Sequence, residues 1–358
     1  MSDILVNTGR IIKEYLDARG ISQKELSARI GVSEKHISNL LKGKSRLTEE
    51  MALKLEYVMP EVSASYWLNY EQKYREKLAR DERRCNLKGL NLEEIASQFH
   101  FKEVFKGLDW DLPKQADEML KLLGISGYDC FQDVYSSLST AFMRDGGEKE
   151  AIAIWLKLCE EQIDIQNCDL ANTRFDKNVL ENNLESFKRM ALNESLDGIF
   201  INCKKMCNRL GMYLVIYPPI SKCMVRGALR THKGKPTIFL SGRFATLDHI
   251  WFAFFHEVGH LLLHYSSKYS EISFENENSK EEDEANEFAQ DVLLDRTSYY
   301  TFVDEYRGRF DETNIKVFAR NNMVHPSFVV ARLQHDRFLP QDKLNYLKVS
   351  INTKEVFG

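Results

Sequence analysis

The stretch Trp251-Phe252-Ala253-Phe254-Phe255-His256-Glu257-Val258-Gly259-His260-Leu261-Leu262-Leu263-His264 decides how the C-terminal half of this 358-residue chain is built. Its length and apolar density predict one helix from about Thr246 to His264. Residues four apart on a helix share a face, so His256 and His260 can reach a single metal ion with Glu257 beside them. Two ordinary core or surface histidines are the competing reading. The setting weighs against it, because unpaired polar groups inside so apolar a helix would be costly. Glu257 and the histidines also interrupt the most apolar segment, His249–His264, so it is not expected to span a membrane.

Zinc needs a third protein ligand and one open position. The acidic run Glu281-Glu282-Asp283-Glu284 opens a second helix, expected over Glu281–Leu294 after a polar loop, Ser266–Lys280. Its inward stripe runs through Ala285, Ala289, Val292 and Leu293, and Glu282 and Asn286 continue that stripe. Glu282 is therefore the expected third ligand, with Asn286 supporting it. Glu281 and Asp283 read as a solvated helix start, where carboxylates suit the helix dipole. Upstream, Met212–Tyr217 reads as a strand stopped by Pro218-Pro219. Met224–Thr231 and Pro236–Leu240 read as a hairpin turning at His232–Lys235. The strand Pro236–Leu240 is expected to be able to hold an extended substrate by strand addition.

The segment Phe254–His264, followed by Glu282-Asp283-Glu284-Ala285-Asn286-Glu287-Phe288-Ala289, resembles the ImmA/IrrE family of zinc metallopeptidases. The resemblance covers roughly Cys203–Leu339, including Val324-His325-Pro326 and Arg332-Leu333-Gln334. Carried over by position, it implies a gluzincin-like domain with one Zn2+ per chain on His256, His260 and Glu282, and Glu257 as general base. The family often ends the second helix with Met-Pro, where this chain has Leu294-Asp295. That departure lies outside the ligands. The chemistry implied is metal-assisted peptide hydrolysis. His264, His325 and Arg226 are candidates for stabilising the oxyanion, each with a structural role as its alternative. His249 shares the face of His256 and is given no role.

The first ninety residues read differently. Residues 9–58 predict four short helices. The first runs from about Gly9 to Arg19 with a stripe of Ile11, Ile12, Tyr15 and Leu16. Ser22-Gln23-Lys24-Glu25 reads as a capping box opening the second, which buries Leu26 and Ile30. Gly31-Val32 turns the chain, and Ser33 caps the third, with Ile37, Leu40 and Leu41 inward. Thr48 caps the fourth, with Met51, Leu55 and Val58 inward. Through Ile21–Leu26, Gly31-Val32-Ser33, Ile37-Ser38 and Leu41-Lys42-Gly43-Lys44 this segment resembles the helix-turn-helix of XRE (phage-repressor) type, and closely that of HigA-type antitoxins. The resemblance implies that the third helix enters the major groove of a double-stranded operator. Ser33, Glu34, Lys35 and Asn39 would then meet base edges, and Gln23, His36, Lys42 and Lys44 would meet phosphates. A four-helix protein-binding module is the alternative.

Charge and cysteine content set the frame. The chain carries a net charge of −4, but residues 1–90 hold 17 Lys+Arg against 13 Asp+Glu. A basic head on an acidic body suits a nucleic-acid contact confined to one end. Seven cysteines without a C-x-x-C pair suit reduced thiols in the cytoplasm, with Cys203 and Cys207 as core residues. No signal-peptide pattern opens the sequence. The expected fold is mainly α with a small β-sheet (α+β): a helix-turn-helix domain over 1–80, a helical connector over 81–202, the metallopeptidase domain over 203–340 and a tail over 341–358. The expected function is a DNA-binding regulator, dimeric on a two-fold operator, that cleaves a repressor or antitoxin-like protein in a stress, phage or toxin–antitoxin response. The alternative is a non-proteolytic, antitoxin-like repressor whose zinc fold senses or docks a partner.

Overall fold

The computed structural model describes residues 6–136, 138, 147–166, 168–192, 199–244, 246–265 and 279–351. The chain divides into two units, Met1–Leu92 and Glu93–Gly358. The expected connector over 81–202 is therefore shared between them. Of the expected loop Ser266–Lys280, residues 266–278 lie outside the described residues, and Ser279 and Lys280 already belong to the following helix, Ser279–Leu293.

The first unit contains α1 (Thr8–Ala18), α2 (Gln23–Ile30), α3 (Glu34–Leu41), α4 (Glu49–Val58) and the long α5 (Ala64–Lys88). Each start has a sequence cause. The side chains of Asn7, Ser22, Ser33, Thr48 and Ser63 all accept a backbone N–H three residues on, each cap contributing about 1 kcal/mol. The capping box expected at Ser22 is only half formed. Ser22 Oγ accepts from Glu25 N at 3.1 Å, but the Glu25 carboxylate takes Arg29, one turn on, at 2.6 Å. A charged partner on the same helix outcompetes a neutral backbone donor. Gly31 adopts φ 65°, the left-handed conformation that lets α2 end and α3 begin across a tight turn. Ile12, Leu16, Leu26, Ile37, Leu40, Leu55 and Trp67 form the centre of the core, with Ile11, Tyr15 and Val58 at its edge. Met59 rather than Val58 closes the buried face of α4. Glu71 of α5, itself buried, accepts from Thr8 Oγ1, from Leu47 N at 3.4 Å and from Arg75 at 2.8 Å, tying α5 to α1 and to the loop before α4.

The second unit is built on a three-stranded sheet: β1 (Tyr213–Ile216), β2 (Gly227–His232) and β3 (Lys235–Leu240), in the order β1-β3-β2. β1 and β3 run parallel, and β2 and β3 form the antiparallel hairpin turning at Lys233-Gly234. β2 starts at Gly227, not Met224, because its partner strand ends at Leu240, the residue opposite. β3 is the central strand and both its edges are paired. It therefore has no free edge for an extended substrate, and β1 and β2 are the outer strands. Both faces of the sheet are covered. Ile238 and Leu240 pack into the main core with Trp251, Phe254 and Phe255 of the helix Leu247–Leu263. Phe239, between them, meets Trp155 of the helix Lys149–Ile165 edge-on at 6.4 Å. Cys203 and Cys207 are buried in the main core as free thiols.

Residues 347–351 of the expected tail are part of this body. Leu347 and Ile351 are buried in the main core. Val349 O accepts from Leu247 N at 3.0 Å, and Ser350 bridges Thr246, so the chain's last described residues fix the start of the helix that carries the metal motif.

Candidate metal centre

Two helices build the site, the motif helix Leu247–Leu263 and the glutamate helix Ser279–Leu293. They cross where both present small residues. A Cβ on Gly259 would stand 3.2 Å from Ala285 Cα and 3.0 Å from Phe288 Cδ1, tighter than most Cβ contacts, so the neighbouring helix would have to give. Ala285 and Ala289 are fully buried at this crossing. The close approach brings Glu282, one turn before Asn286, over the histidines.

His256 Nε2, His260 Nε2 and the Glu282 carboxylate converge on one point. The two Nε2 atoms are 3.0 Å apart, and Glu282 oxygens lie 3.3 Å from His256 Nε2 and 3.2 Å from His260 Nε2. Ligands held at about 2.0–2.1 Å around tetrahedral zinc stand about 3.3 Å from one another, so this triangle has the dimensions of three of its corners. The tautomers agree. His256 Nδ1–H donates to Asn286 Oδ1 at 3.0 Å, which leaves Nε2 with a lone pair facing the centre. Two nitrogen lone pairs and a carboxylate, all acceptors, need a cation between them, and the donor set fits zinc. When the two imidazoles carry protons at Nε2, their hydrogen bonds hold Glu282 far below the ordinary carboxylate range. Burial would push His256 down, but the Glu282 hydrogen bond and the nearby Glu257 and Glu282 charges together raise it.

Glu257 is buried next to this triangle, and its Oε2 has no hydrogen-bond partner among the described residues. Burial raises its pKa. Gly227, first residue of β2, faces it: a Cβ there would be 2.6 Å from Glu257 Oε1. The edge strand thus passes directly over the carboxylate, and any side chain at 227 would have to displace it.

The other expected site residues fall as follows. Asn286 holds His256, as described. His264 stands one turn beyond His260 and touches it, with its Nδ1 3.2 Å from His260 Nδ1. His325 is the N-cap of the helix Pro326–His335, and its Nδ1 accepts from Ser327 N at 3.1 Å. Arg226 immediately precedes Gly227 and lays its guanidinium over Phe244 at 5.2 Å. His249, one turn into the motif helix, meets Thr246 Oγ1 at 2.6 Å and the Phe244 ring at 4.7 Å. Two residues beside the site escaped the sequence reading, Gly227 and Glu284. Nothing in a single sequence marks the first. The second was hidden within an acidic run.

In the first unit Glu34, Lys35 and His36 are exposed on the first turn of α3, and Gln23, Lys42 and Lys44 are exposed around it. Asn39 is half-buried, and Ser33 spends its hydroxyl oxygen on His36 N at 3.3 Å. Ser33 keeps its O–H and one lone pair for a base edge.

Two family models match the chain: one described as a helix-turn-helix over residues 12–67, the other as an IrrE N-terminal-like domain of the M78 peptidase family over residues 207–320. The second span contains Gly227, Glu257, Glu282 and both motif histidines. The chain joins an XRE-type helix-turn-helix domain to an IrrE-like domain. An uncharacterized HTH-type transcriptional regulator of Escherichia coli (strain K12), YddM, is 40% identical over 63 residues. That alignment takes in 18% of this chain and 66% of the relative, just under two thirds of its length. Among the described residues no helix is long and apolar enough to cross a membrane.

Proposed function

We propose that this IrrE-like protein is a cytoplasmic, DNA-binding transcriptional regulator whose second domain is a zinc-dependent endopeptidase acting on a repressor or antitoxin-like protein. The observation that carries the reading is the triangle of His256, His260 and Glu282 with a buried, unpaired Glu257 carboxylate against it. His256, His260 and Glu282 would hold one ion per chain. When bound, zinc supplies a Lewis acid that polarises a carbonyl and makes water acidic at neutral pH. Glu257 accepts the proton of the attacking water, and its burial moves its pKa towards the range a general base needs. β2, the edge strand, pairs with the extended substrate and lays it across Gly227. Arg226, at the head of that strand, remains the candidate for contacting the scissile carbonyl.

The head recognises a two-fold operator as a homodimer, with Glu34, Lys35 and Asn39 at the bases and Gln23, His36, Lys42 and Lys44 on phosphates. Support for this is the geometry of α2, the Gly31 turn and α3, together with the exposure of those side chains other than the half-buried Asn39.

The test is a survey of new protein N-termini in cells under stress, comparing wild type with Glu257→Gln. Termini present only with wild type support proteolysis and name candidate targets. Their absence, while both proteins still repress the same genes, overturns the peptidase reading in favour of a non-cleaving repressor that docks its partner.

The edge strand gives a separate expectation. Gly227→Ala pushes a methyl group into the Glu257 carboxylate, and turnover on any cleaved substrate should fall about 100-fold. Zinc content, measured on the purified protein, should stay at the wild-type level, since no ligand is touched. Unchanged turnover would remove β2 from the substrate path.

A further inference from the structure

The motif helix carries a third histidine in register with the first two, and its ring bridges two groups. His264 Nδ1 is 3.2 Å from His260 Nδ1, and His264 Nε2 is 3.0 Å from Glu284 Oε2. With His264 neutral, these contacts leave one proton arrangement. An ionised carboxylate only accepts, so His264 Nε2 carries a hydrogen and donates it to Glu284. In a neutral imidazole the other nitrogen is then an acceptor, so His264 Nδ1 accepts from His260 Nδ1–H. His260 is left with its Nε2 lone pair directed at Glu282 and His256, the orientation a metal ligand needs.

We propose that His264 and Glu284 are positioning residues for His260, a two-step relay that fixes its tautomer and ring plane and raises its basicity towards the ion. The proposal rests on the zinc reading and deepens it. It also removes His264 from oxyanion stabilisation, because both its ring nitrogens are engaged. The relay parallels what Asn286 does for His256, with a difference. One histidine is held by a neutral amide, the other through an imidazole by a carboxylate. Glu282, Glu284 and Asn286 thus lie within five residues of the glutamate helix: Glu282 touches His256 and His260, Asn286 the far side of His256, and Glu284 His264. Lys280 pairs with the other Glu284 oxygen at 3.4 Å, which steadies the carboxylate without displacing His264.

The experiment uses the full chain. Zinc affinity is measured by competition with a chromophoric chelator, and the visible spectrum of the Co(II)-loaded protein reports ligand geometry. His264→Ala should weaken zinc binding about 10–100-fold and shift the Co(II) bands. His264→Gln, whose amide can accept from His260 and donate to Glu284, should recover most of the loss. Glu284→Ala should show a smaller loss of the same kind, and it decides the matter if His264→Ala fails to fold. Affinities within about twofold of wild type with unchanged Co(II) bands in both alanine variants overturn the relay while leaving the zinc site standing. So does a His264→Gln protein as weak as His264→Ala, since the ring would then only fill space. A wild-type chain that takes up no zinc overturns both the relay and the function proposed above.

Discussion

Glu257→Gln is expected to slow peptide cleavage by about 10²–10⁴-fold while zinc affinity stays within about threefold of wild type. The substitution keeps the size and shape of a side chain in a fully packed position, so it tests chemistry and not folding. Glu257 lies beside the histidines without joining the triangle of ligand atoms. What the amide loses is the capacity to take a proton. The buried carboxylate costs the folded chain an unpaired charge, so Glu257→Gln should also leave thermal stability unchanged or slightly raised. Cleavage on a purified target and zinc titration are the two readouts. Activity surviving at the wild-type rate would place the base elsewhere, and loss of zinc together with activity would make Glu257 a structural support of the site.

The second large effect belongs to the other unit. Gly9 of α1 packs against the end of α3 with no space for a side chain: a Cβ would run into the Leu40 carbonyl oxygen and stand 2.7 Å from Leu41 Cα. These are backbone atoms of a helix and cannot rotate aside. Gly9→Val should therefore destabilise the head by about 3 kcal/mol, at the upper end for overpacking. A shift of that size is a large fraction of what a small domain has to spare. Operator binding measured by fluorescence anisotropy should fall with the folded fraction of the head, while zinc uptake by the second unit persists. A Gly9→Val protein that binds DNA as wild type would mean that α1 can tilt away from α3 without cost.

Much of this was legible in the sequence, for local reasons. Caps at Ser22, Ser33 and Thr48 and the glycine turn at Gly31 are decided within a few residues, and so are the head helices. The clustering of His256, His260, Glu282 and Asn286 was readable because helical spacing alone puts them on two stripes. What failed to show depends on partners far away in the chain. The order β1-β3-β2 is set by packing of both sheet faces, so β3 looked like a usable edge and is the centre. Gly227 matters only because Glu257, thirty residues later, lies beneath it. Glu284 shared an acidic run with a ligand, and its role emerges only once His264 is seen against it. Glu25 was credited to Ser22 because the rule for capping boxes takes no account of Arg29 one turn away.

The docking of residues 347–351 bears on how this protein can be cut into working pieces. The family match stops at residue 320, and a fragment designed on that boundary looks complete on paper. It would lack the helix Pro326–His335, the Leu347 and Ile351 side chains, and the Val349 carbonyl that receives Leu247 N at 3.0 Å. The first turn of the motif helix would lose its anchor at a point nine residues upstream of His256. The folding unit is thus larger than the recognisable one, and a fusion or truncation placed at the C-terminal side is an intervention on the metal helix itself.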